Sequence, residues 1–340
     1  MKRNFFILAF TLLLASYAYS QTDAAKLYKE AIADYDAKRY SEAVEKFKRY
    51  NLLKPNDADS HYFLANSYYE LEKYGDAVSS YRTAIRLEPS YFEAYVYLGN
   101  ALDYLNLYED ALKAYREALK IEPDSAWVYY EIGIAHRANE KDELAIEAFK
   151  NSVRLDPKYL KSYEKLAEIY NSLDRAGDAA GAYMKIVELD PTNVNAFVEL
   201  GYYYEGTDLG SRAIQNYESA LKLDPRNARA SFGLGNIYYN TDQFAKSLPY
   251  YEMATKSSPE WTTAHIYLGD NYFKLTRNND AIASYNRALE IEPNRELAIY
   301  GLGLVYSSMG RDEMVRTQYN KLVELDSDYA EKLRTKLKTP

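Results

Sequence analysis

The three histidines are the residues in this 340-residue chain whose chemistry best suits a metal or catalytic centre. A zinc site or a general base would need further ligands or partners at a suitable spacing. His61, His136 and His265 have no second histidine at ligand spacing, and the chain contains no cysteine. We therefore predict no metal site, and we expect His136, at a position where most units have tyrosine, to be a packing residue.

Two pairs of glycines resemble half of a dinucleotide-binding loop. Gly233 and Gly235 have the spacing of its first two glycines, as do Gly301 and Gly303. The third glycine is replaced by tyrosine in both places (Tyr238 in the first), and no strand pattern precedes either pair. The chain contains 50 acidic residues but no catalytic-triad signature, and it contains no phosphate-binding loop. The sequence predicts no cofactor and no enzymatic activity.

The prolines follow a strict period. Eight of the ten prolines recur at one constant interval: Pro55, Pro89, Pro123, Pro157, Pro191, Pro225, Pro259 and Pro293. A fixed period of about 34 residues is typical of repeat architectures. Counting back from each proline gives nine units, 24–57, 58–91, 92–125, 126–159, 160–193, 194–227, 228–261, 262–295 and 296–329, and Ser327 replaces the proline of the ninth.

Each unit has the pattern of two amphipathic helices. In the third unit, Leu98 and Leu102 are four residues apart and share one helical face. Position 8 of every unit is glycine or alanine and position 24 is aromatic. A larger residue at position 8 would overpack the contact between the two helices, at a cost of roughly 1–3 kcal/mol. Proline pushes the residue before it out of the helical region, so we expect the second helix of each unit to end there.

The repeated pattern resembles the tetratricopeptide repeat (TPR) family. In the third unit it is carried by Tyr95, Leu98, Gly99, Ala111, Tyr115, Ala118 and Pro123. The resemblance covers almost the whole chain. It implies an all-α fold, a right-handed superhelical solenoid of antiparallel helix pairs, whose concave groove is lined by the first helix of each pair.

The two ends of the chain have their own patterns. Lys2 and Arg3 precede an apolar run, and a small-x-small cleavage site ends at Ser20, so residues 1–20 are expected to be a signal peptide. No other apolar stretch approaches the roughly 20 residues of a spanning helix. We expect an exported protein, periplasmic in the first instance and secreted as the alternative, with no transmembrane segment in the mature chain. Residues 330–340 are expected to form a capping helix over the last unit.

The charge limits the class of partner. The net charge of −8 becomes −10 when Lys2 and Arg3 are removed with the signal peptide. A nucleic-acid-binding protein needs a basic surface, so nucleic acid is not expected as a partner.

A partner is expected in the groove, which the family resemblance places at positions 2, 5, 9 and 12 of each unit. These positions are rich in aromatic residues with polar tips, which are common at interfaces. The candidate binding residues are Tyr28, Tyr35, Tyr62, Tyr69, Trp127, Tyr130, Tyr202, Phe232, Tyr239, Phe273 and Tyr300, together with the acids Asp59, Glu93, Asp103, Glu205 and Asp270. The position-5 aromatics could equally pack between neighbouring first helices.

The sequence predicts a non-enzymatic scaffold or adaptor that binds a protein or peptide with apolar anchors and basic residues. Two alternatives remain open. The chain could be a self-assembling structural solenoid of the cell envelope, since a homo-oligomer is compatible with the sequence. It could also be a glycan-binding accessory protein, because exposed Tyr and Trp rings stack on sugars.

Overall fold

The computed structural model describes residues 23–207 and 209–337, and within these ranges every regular element is a helix. Helix α1 covers residues 23–36. The others are α2 (Tyr40–Leu53), α3 (Ala58–Glu70), α4 (Tyr74–Leu87), α5 (Phe92–Tyr104), α6 (Tyr108–Ile121), α7 (Ala126–Ala138), α8 (Asp142–Leu155), α9 (Leu160–Ser172), α10 (Ala176–Leu189), α11 (Val194–Gly206), α12 (Gly210–Leu223), α13 (Ala228–Asn240), α14 (Phe244–Ser257), α15 (Thr262–Lys274), α16 (Asn278–Ile291), α17 (Glu296–Ser308), α18 (Asp312–Glu324) and α19 (Asp328–Arg334). The predicted signal peptide lies outside the described residues.

The helices occur in tandem pairs. Each odd-numbered helix from α3 to α17 begins at the first residue of its repeat unit, and its even-numbered partner follows after a short turn. We call them first and second helices and keep the numbering of positions within the units. The predicted all-α fold of tandem helix pairs is confirmed.

The second helices end where the prolines predict. The residue before Pro89 is Glu88, whose backbone is extended (φ −133°, ψ 91°). Its N–H donates to the carbonyl of Ala84 at 2.8 Å, which closes the last turn. This is the conformation that a following proline imposes, since its ring excludes the helical region for the preceding residue.

The turns between first and second helices share a left-handed residue at position 15. After α5, Asn106 has φ 59°, and the N–H of Leu107 donates to the carbonyl of Leu102 at 2.9 Å. That bond defines a Schellman motif. The other described residues of this kind at position 15 are Lys38, Glu72, Glu140, Asp174, Asp242, Thr276 and Gly310. The repeated turn gives these eight helix pairs the same connection.

In the third, fourth, sixth, seventh and eighth repeats, the aromatic residue at position 24 packs directly on the glycine at position 8. Tyr217 is 2% exposed, and a Cβ atom added to Gly201 would lie 2.5 Å from its ring. The other side of the same ring faces Gly233 of the next first helix, where a Cβ would also overlap it. Glycine is therefore required on both sides of this ring.

The chain divides into two compact units, one ending at Ile169 and the other beginning at Tyr170. In the N-terminal unit, one core of buried residues runs from Ala31 to Ala135. In the C-terminal unit, a core around Tyr285 and Leu302 includes Leu333 of α19, which is fully buried. The name N-terminal unit is used for the compact unit that ends at Ile169, and C-terminal unit for the one that begins at Tyr170. Each contains several of the nine repeats.

Candidate functional site

The histidines are held by neighbouring backbone or are enclosed by packing. Nε2 of His61 lies 3.1 Å from the carbonyl oxygen of Pro55, and Nε2 of His265 lies 2.9 Å from that of Pro259. Nδ1 of His136 is buried without a hydrogen-bond partner in the described structure, and burial lowers the pKa of this side chain. Among residues 23–207 and 209–337, no three His, Asp or Glu side chains are grouped so that they could hold a metal ion.

Three buried tyrosines at position 24 donate hydrogen bonds to an asparagine at position 9 of the same helix pair. The hydroxyls of Tyr81 and Tyr115 donate to Oδ1 of Asn66 and Asn100, each at 2.6 Å. Tyr251 donates to Asn236 at 2.9 Å in the same way. The asparagines at position 9 therefore satisfy buried hydroxyl groups, which would be costly to leave unpaired.

Two of the candidate acids also accept hydrogen bonds from buried tyrosines at position 24. Asp270 accepts a hydrogen bond from the hydroxyl of Tyr285, which is 1% exposed. Glu205 accepts one from Tyr217 at 2.9 Å. Sequence reasoning assigned both acids to partner binding and missed this role. The sequence does carry a signal for this hydrogen bond: a hydrogen-bond acceptor at position 9 or 12 of a unit whose position 24 is tyrosine.

Four of the five candidate aromatics at position 5 pack on another ring at the end of the same unit. The ring centroids are 4.9 Å apart for Tyr62 and Tyr91, and 4.6 Å apart for Phe232 and Trp261. The pairs Tyr130–Tyr159 and Tyr300–Tyr329 are separated by 5.5 and 5.0 Å. In each pair the second ring belongs to the last residue of the unit. These rings stabilise the contact between units and keep one edge at the surface.

Most of the candidate groove residues are only partly buried. The half-buried ones are Tyr28, Tyr35, Tyr62, Tyr69, Asp103, Trp127, Tyr130, Glu205, Phe232, Tyr239, Asp270, Phe273 and Tyr300. Asp59 and Glu93 are exposed. Tyr202 is the most open of the candidate rings, with 69% of its surface exposed.

In the N-terminal unit, tyrosine rings and carboxylates enclose one cavity, which we call the acidic cavity. It has a volume of about 300 Å³ and is lined by Tyr69, Asn100, Asp103, Tyr104, Tyr130, Glu131 and Ile134. The rings of Tyr69 and Tyr104 are 5.6 Å apart, and Tyr104 is 60% exposed. Among the described residues that line the cavity, none is basic.

The two carboxylates of the acidic cavity are partly removed from water. Burial raises the pKa of Asp103 to about 6, and its Oδ1 has no hydrogen-bond partner in the described structure. Burial also raises the pKa of Glu131, which accepts a hydrogen bond from Nε1 of Trp127 at 2.8 Å. Glu131 and Tyr104 were not among the predicted site residues. A cation entering this cavity would restore the electrostatic stabilisation that water supplies elsewhere.

The C-terminal unit has two cavities that share Tyr202 and Glu205. The first, of about 480 Å³, has apolar walls that include Val198, Phe232 and Trp261. The second, of about 680 Å³, is more polar and extends along α10 and α11. Because Tyr202 and Glu205 line both, the two cavities are adjacent. We call them the paired cavities.

Positive charge is scarce in the paired cavities. Arg229 is the only basic residue among those that line the two cavities in the described structure. Its guanidinium lies 2.8 Å from a carboxylate oxygen of Glu199 and is therefore already paired. Within the part of the chain that the structure describes, no helix has both the length and the apolar character needed to cross a membrane.

The comparisons agree with the helix-pair architecture. Family models described as tetratricopeptide repeat match residues 62–126, 130–194, 228–260 and 298–329, and a model described as TPR repeat matches 211–242 and 269–310. A search of curated proteins gives no match.

Solved structures with the same fold include the C-terminal part of a TPR repeat-containing protein from Cytophaga hutchinsonii. That structure is 20% identical, covers 81% of this chain and 99% of its own, and has a TM-score of 0.57. MamA from Desulfovibrio magneticus RS-1 is 27% identical over 50% of this chain and 97% of its own, with a TM-score of 0.47. YrrB, described as a TPR protein with an unusual peptide-binding site, is 20% identical over 55% of this chain and 96% of its own, with a TM-score of 0.44. The family models and the helix pairs together identify this chain as a member of the tetratricopeptide repeat family.

Proposed function

We propose that this protein is an exported, non-enzymatic scaffold that binds an extended protein or peptide segment through the first helices of its repeats. The observation that carries the proposal is the position of the open cavities. The acidic cavity and the paired cavities are lined mainly by first helices, at positions where tyrosines and carboxylates keep part of their surface in water.

The acidic cavity supports a basic side chain as one anchor of the partner. A lysine or arginine placed near Asp103 and Glu131 would pair with carboxylates whose charged forms are disfavoured by burial. The exposed ring of Tyr104 adds a surface for a cation–π contact, worth about 0.5–2 kcal/mol.

The paired cavities support an apolar anchor. Val198, Phe232 and Trp261 form an apolar wall in the first of them, and the exposed Tyr202 stands beside it. Aromatic residues in such settings are frequent hot spots, since burying the ring on binding removes apolar area from water.

Peptides selected from a random peptide library on the purified protein provide the test. We expect the selected peptides to combine lysine or arginine with large apolar residues. Their affinity, measured by fluorescence anisotropy, should fall about tenfold or more for Tyr202→Ala. Leu52→Ala is the matched control, because Leu52 is 84% exposed and lies on a second helix. Equal binding by both variants would contradict the proposal.

Export has a separate test. If residues 1–20 are removed, the protein recovered from the extracytoplasmic fraction should begin at Gln21, as determined by intact mass and N-terminal sequencing. Recovery of the full-length chain in the cytoplasmic fraction would contradict export and leave the binding proposal to its own test.

A further inference from the structure

In the C-terminal unit, the first helix of the seventh repeat lacks a large side chain that the other eight repeats carry at the same position. At position 4 of the first helix, the other eight units carry Leu27, His61, Tyr95, Tyr129, Tyr163, Phe197, His265 and Ile299. The seventh unit has Ser231. All eight of the larger side chains are half-buried or buried. Ser231 is thus the one small residue at a position that otherwise fills space between helices.

Next to Ser231 lies an open cavity of about 570 Å³, which we call the Ser231 cavity. It is lined by Leu221, Pro225, Ser231, Tyr238, Ala245, Lys246, Pro249, Tyr250 and Met253. None of these residues lines the acidic cavity or the paired cavities. The Ser231 cavity is therefore separate from the proposed peptide-binding site.

The Ser231 cavity is separate from the paired cavities because they are lined by different faces of α13. Ser231 and Tyr238 are seven residues apart and lie on one helical face. The α13 residues that line the paired cavities include Arg229, Phe232 and Asn236, which are spaced three and four apart on another face. One helix therefore lines two cavities with two different faces.

The walls of the Ser231 cavity favour an aromatic ring. The rings of Tyr238 and Tyr250 are stacked, with centroids 5.7 Å apart and planes inclined by 16°. The ammonium group of Lys246 lies 5.6 Å from the centroid of the Tyr238 ring. Apolar cavities of even about 150 Å³ bind benzene, so the space here is sufficient for a ring.

Two acceptors at the cavity favour a ring that carries a hydrogen-bond donor. Ser231 is fully buried, and its Oγ has no hydrogen-bond partner in the described structure. Pro249 lies inside α14 and has no N–H to donate to the carbonyl of Ala245, one turn earlier. Both Ser231 and Ala245 line the cavity. A hydroxyl group on the entering ring would supply the missing donor.

We propose that the Ser231 cavity is a binding site for a phenol ring, the side chain of a tyrosine presented by a partner protein. Three other repeats of this chain place a tyrosine of their own at the same position, so the equivalent helices of those repeats accommodate a side chain of this size. The opening is at the protein surface, because Ala245, Lys246 and Pro249 are exposed. A partner loop can therefore insert a tyrosine without displacing a helix.

The probes are p-cresol, which is the tyrosine side chain alone, toluene, which lacks the hydroxyl, and N-acetyl-tyrosine methylamide. Binding is measured by ligand-observed NMR on the full mature protein. We expect p-cresol to bind at least fivefold more tightly than toluene, and the tyrosine derivative to compete with p-cresol. Failure of p-cresol to bind would overturn the proposal. Binding of p-cresol without competition by the derivative would reassign the site to a free phenol.

Variants locate the binding. Ser231→Tyr fills the cavity from within and should abolish p-cresol binding, while Tyr202→Ala should leave it unchanged. Ser231→Ala keeps the space but removes the hydroxyl, so it should weaken p-cresol several-fold and leave toluene unaffected. If Ser231→Tyr does not fold, Ala245→Phe provides a second block, because Ala245 is exposed at the opening. Undiminished p-cresol binding in the folded blocking variant would refute the site.

Discussion

Asp103 is predicted to lower the stability of the protein at neutral pH. Burial raises its pKa from 3.8 to about 6, so the folded state binds a proton more tightly than the unfolded state. Stability therefore falls as the pH rises between about 4 and 6, and the whole cost is present above that interval. Below pH 4 the carboxyl group is neutral in both states and the cost disappears.

The magnitude follows from the shift. A change of about two pKa units corresponds to about 3 kcal/mol at 1.36 kcal/mol per unit. Asp103 keeps part of its surface in water, and solvent screening reduces the net effect to roughly half of this. We expect Asp103→Asn to raise the free energy of unfolding by about 1–2 kcal/mol at pH 7.5 and to have little effect at pH 4.

The assay uses the fluorescence of Trp127, which is bonded to Glu131 beside Asp103. The chain has two tryptophans, so a Trp261→Phe background leaves Trp127 as the only reporter. Urea titrations at pH 4 and pH 7.5 compare Asp103→Asn with Glu93→Gln, a control at an exposed position. The control should change stability by less than about 0.5 kcal/mol at either pH.

The result that would refute this reasoning is a destabilised Asp103→Asn at pH 7.5, or a gain that is equal at both pH values. The proposed function adds a second, opposite expectation. The same variant should bind lysine- and arginine-containing peptides more weakly, because it removes a carboxylate from the acidic cavity. Greater stability together with weaker binding would indicate that the buried charge is retained for recognition.

Three further substitutions test the packing. Gly99→Ala should destabilise the fold by about 1–3 kcal/mol in urea titrations, because the new methyl group would overlap the ring of Tyr115; an unchanged midpoint would contradict the close approach. Gly181→Ala is the matched opposite case, since in the described structure its added Cβ has no atom within 4 Å apart from its own helix backbone and chain neighbours, and it should raise the free energy of unfolding by about 0.5–1 kcal/mol through helix propensity. Tyr81→Phe should cost about 1–3 kcal/mol in thermal or urea unfolding, because it leaves the buried Oδ1 of Asn66 without its donor; a neutral result would show that water replaces the hydroxyl.

The helix pairs were predictable because backbone rules act locally. Proline restricts only the residue before it, so Glu88 could be placed at a helix end from sequence alone. Glycine at position 8 and an aromatic residue at position 24 identify a close contact between the two helices of a pair. Tyr115 on Gly99 confirms that prediction.

The site was less predictable because it depends on which side chains face each other across helices. Asp270 and Glu205 read as free acids in the sequence, whereas the structure shows them accepting hydrogen bonds from Tyr285 and Tyr217. Glu131 was not predicted because its importance comes from burial next to Asp103, which no local pattern encodes. Ser231 stands out only when position 4 is compared across all nine units.

The tyrosine hydrogen bonds at positions 24 and 9 also bear on how the chain could have changed its length. Tyr81 with Asn66, Tyr115 with Asn100 and Tyr251 with Asn236 are each confined to a single helix pair. A duplication or deletion of one whole repeat therefore adds or removes the hydrogen-bond donor and its acceptor together. The tyrosine hydroxyls of the neighbouring repeats keep their own acceptors. These three hydrogen bonds therefore place no limit on the number of repeats, whereas an insertion between the two helices of a pair would separate the tyrosine donor from its asparagine acceptor.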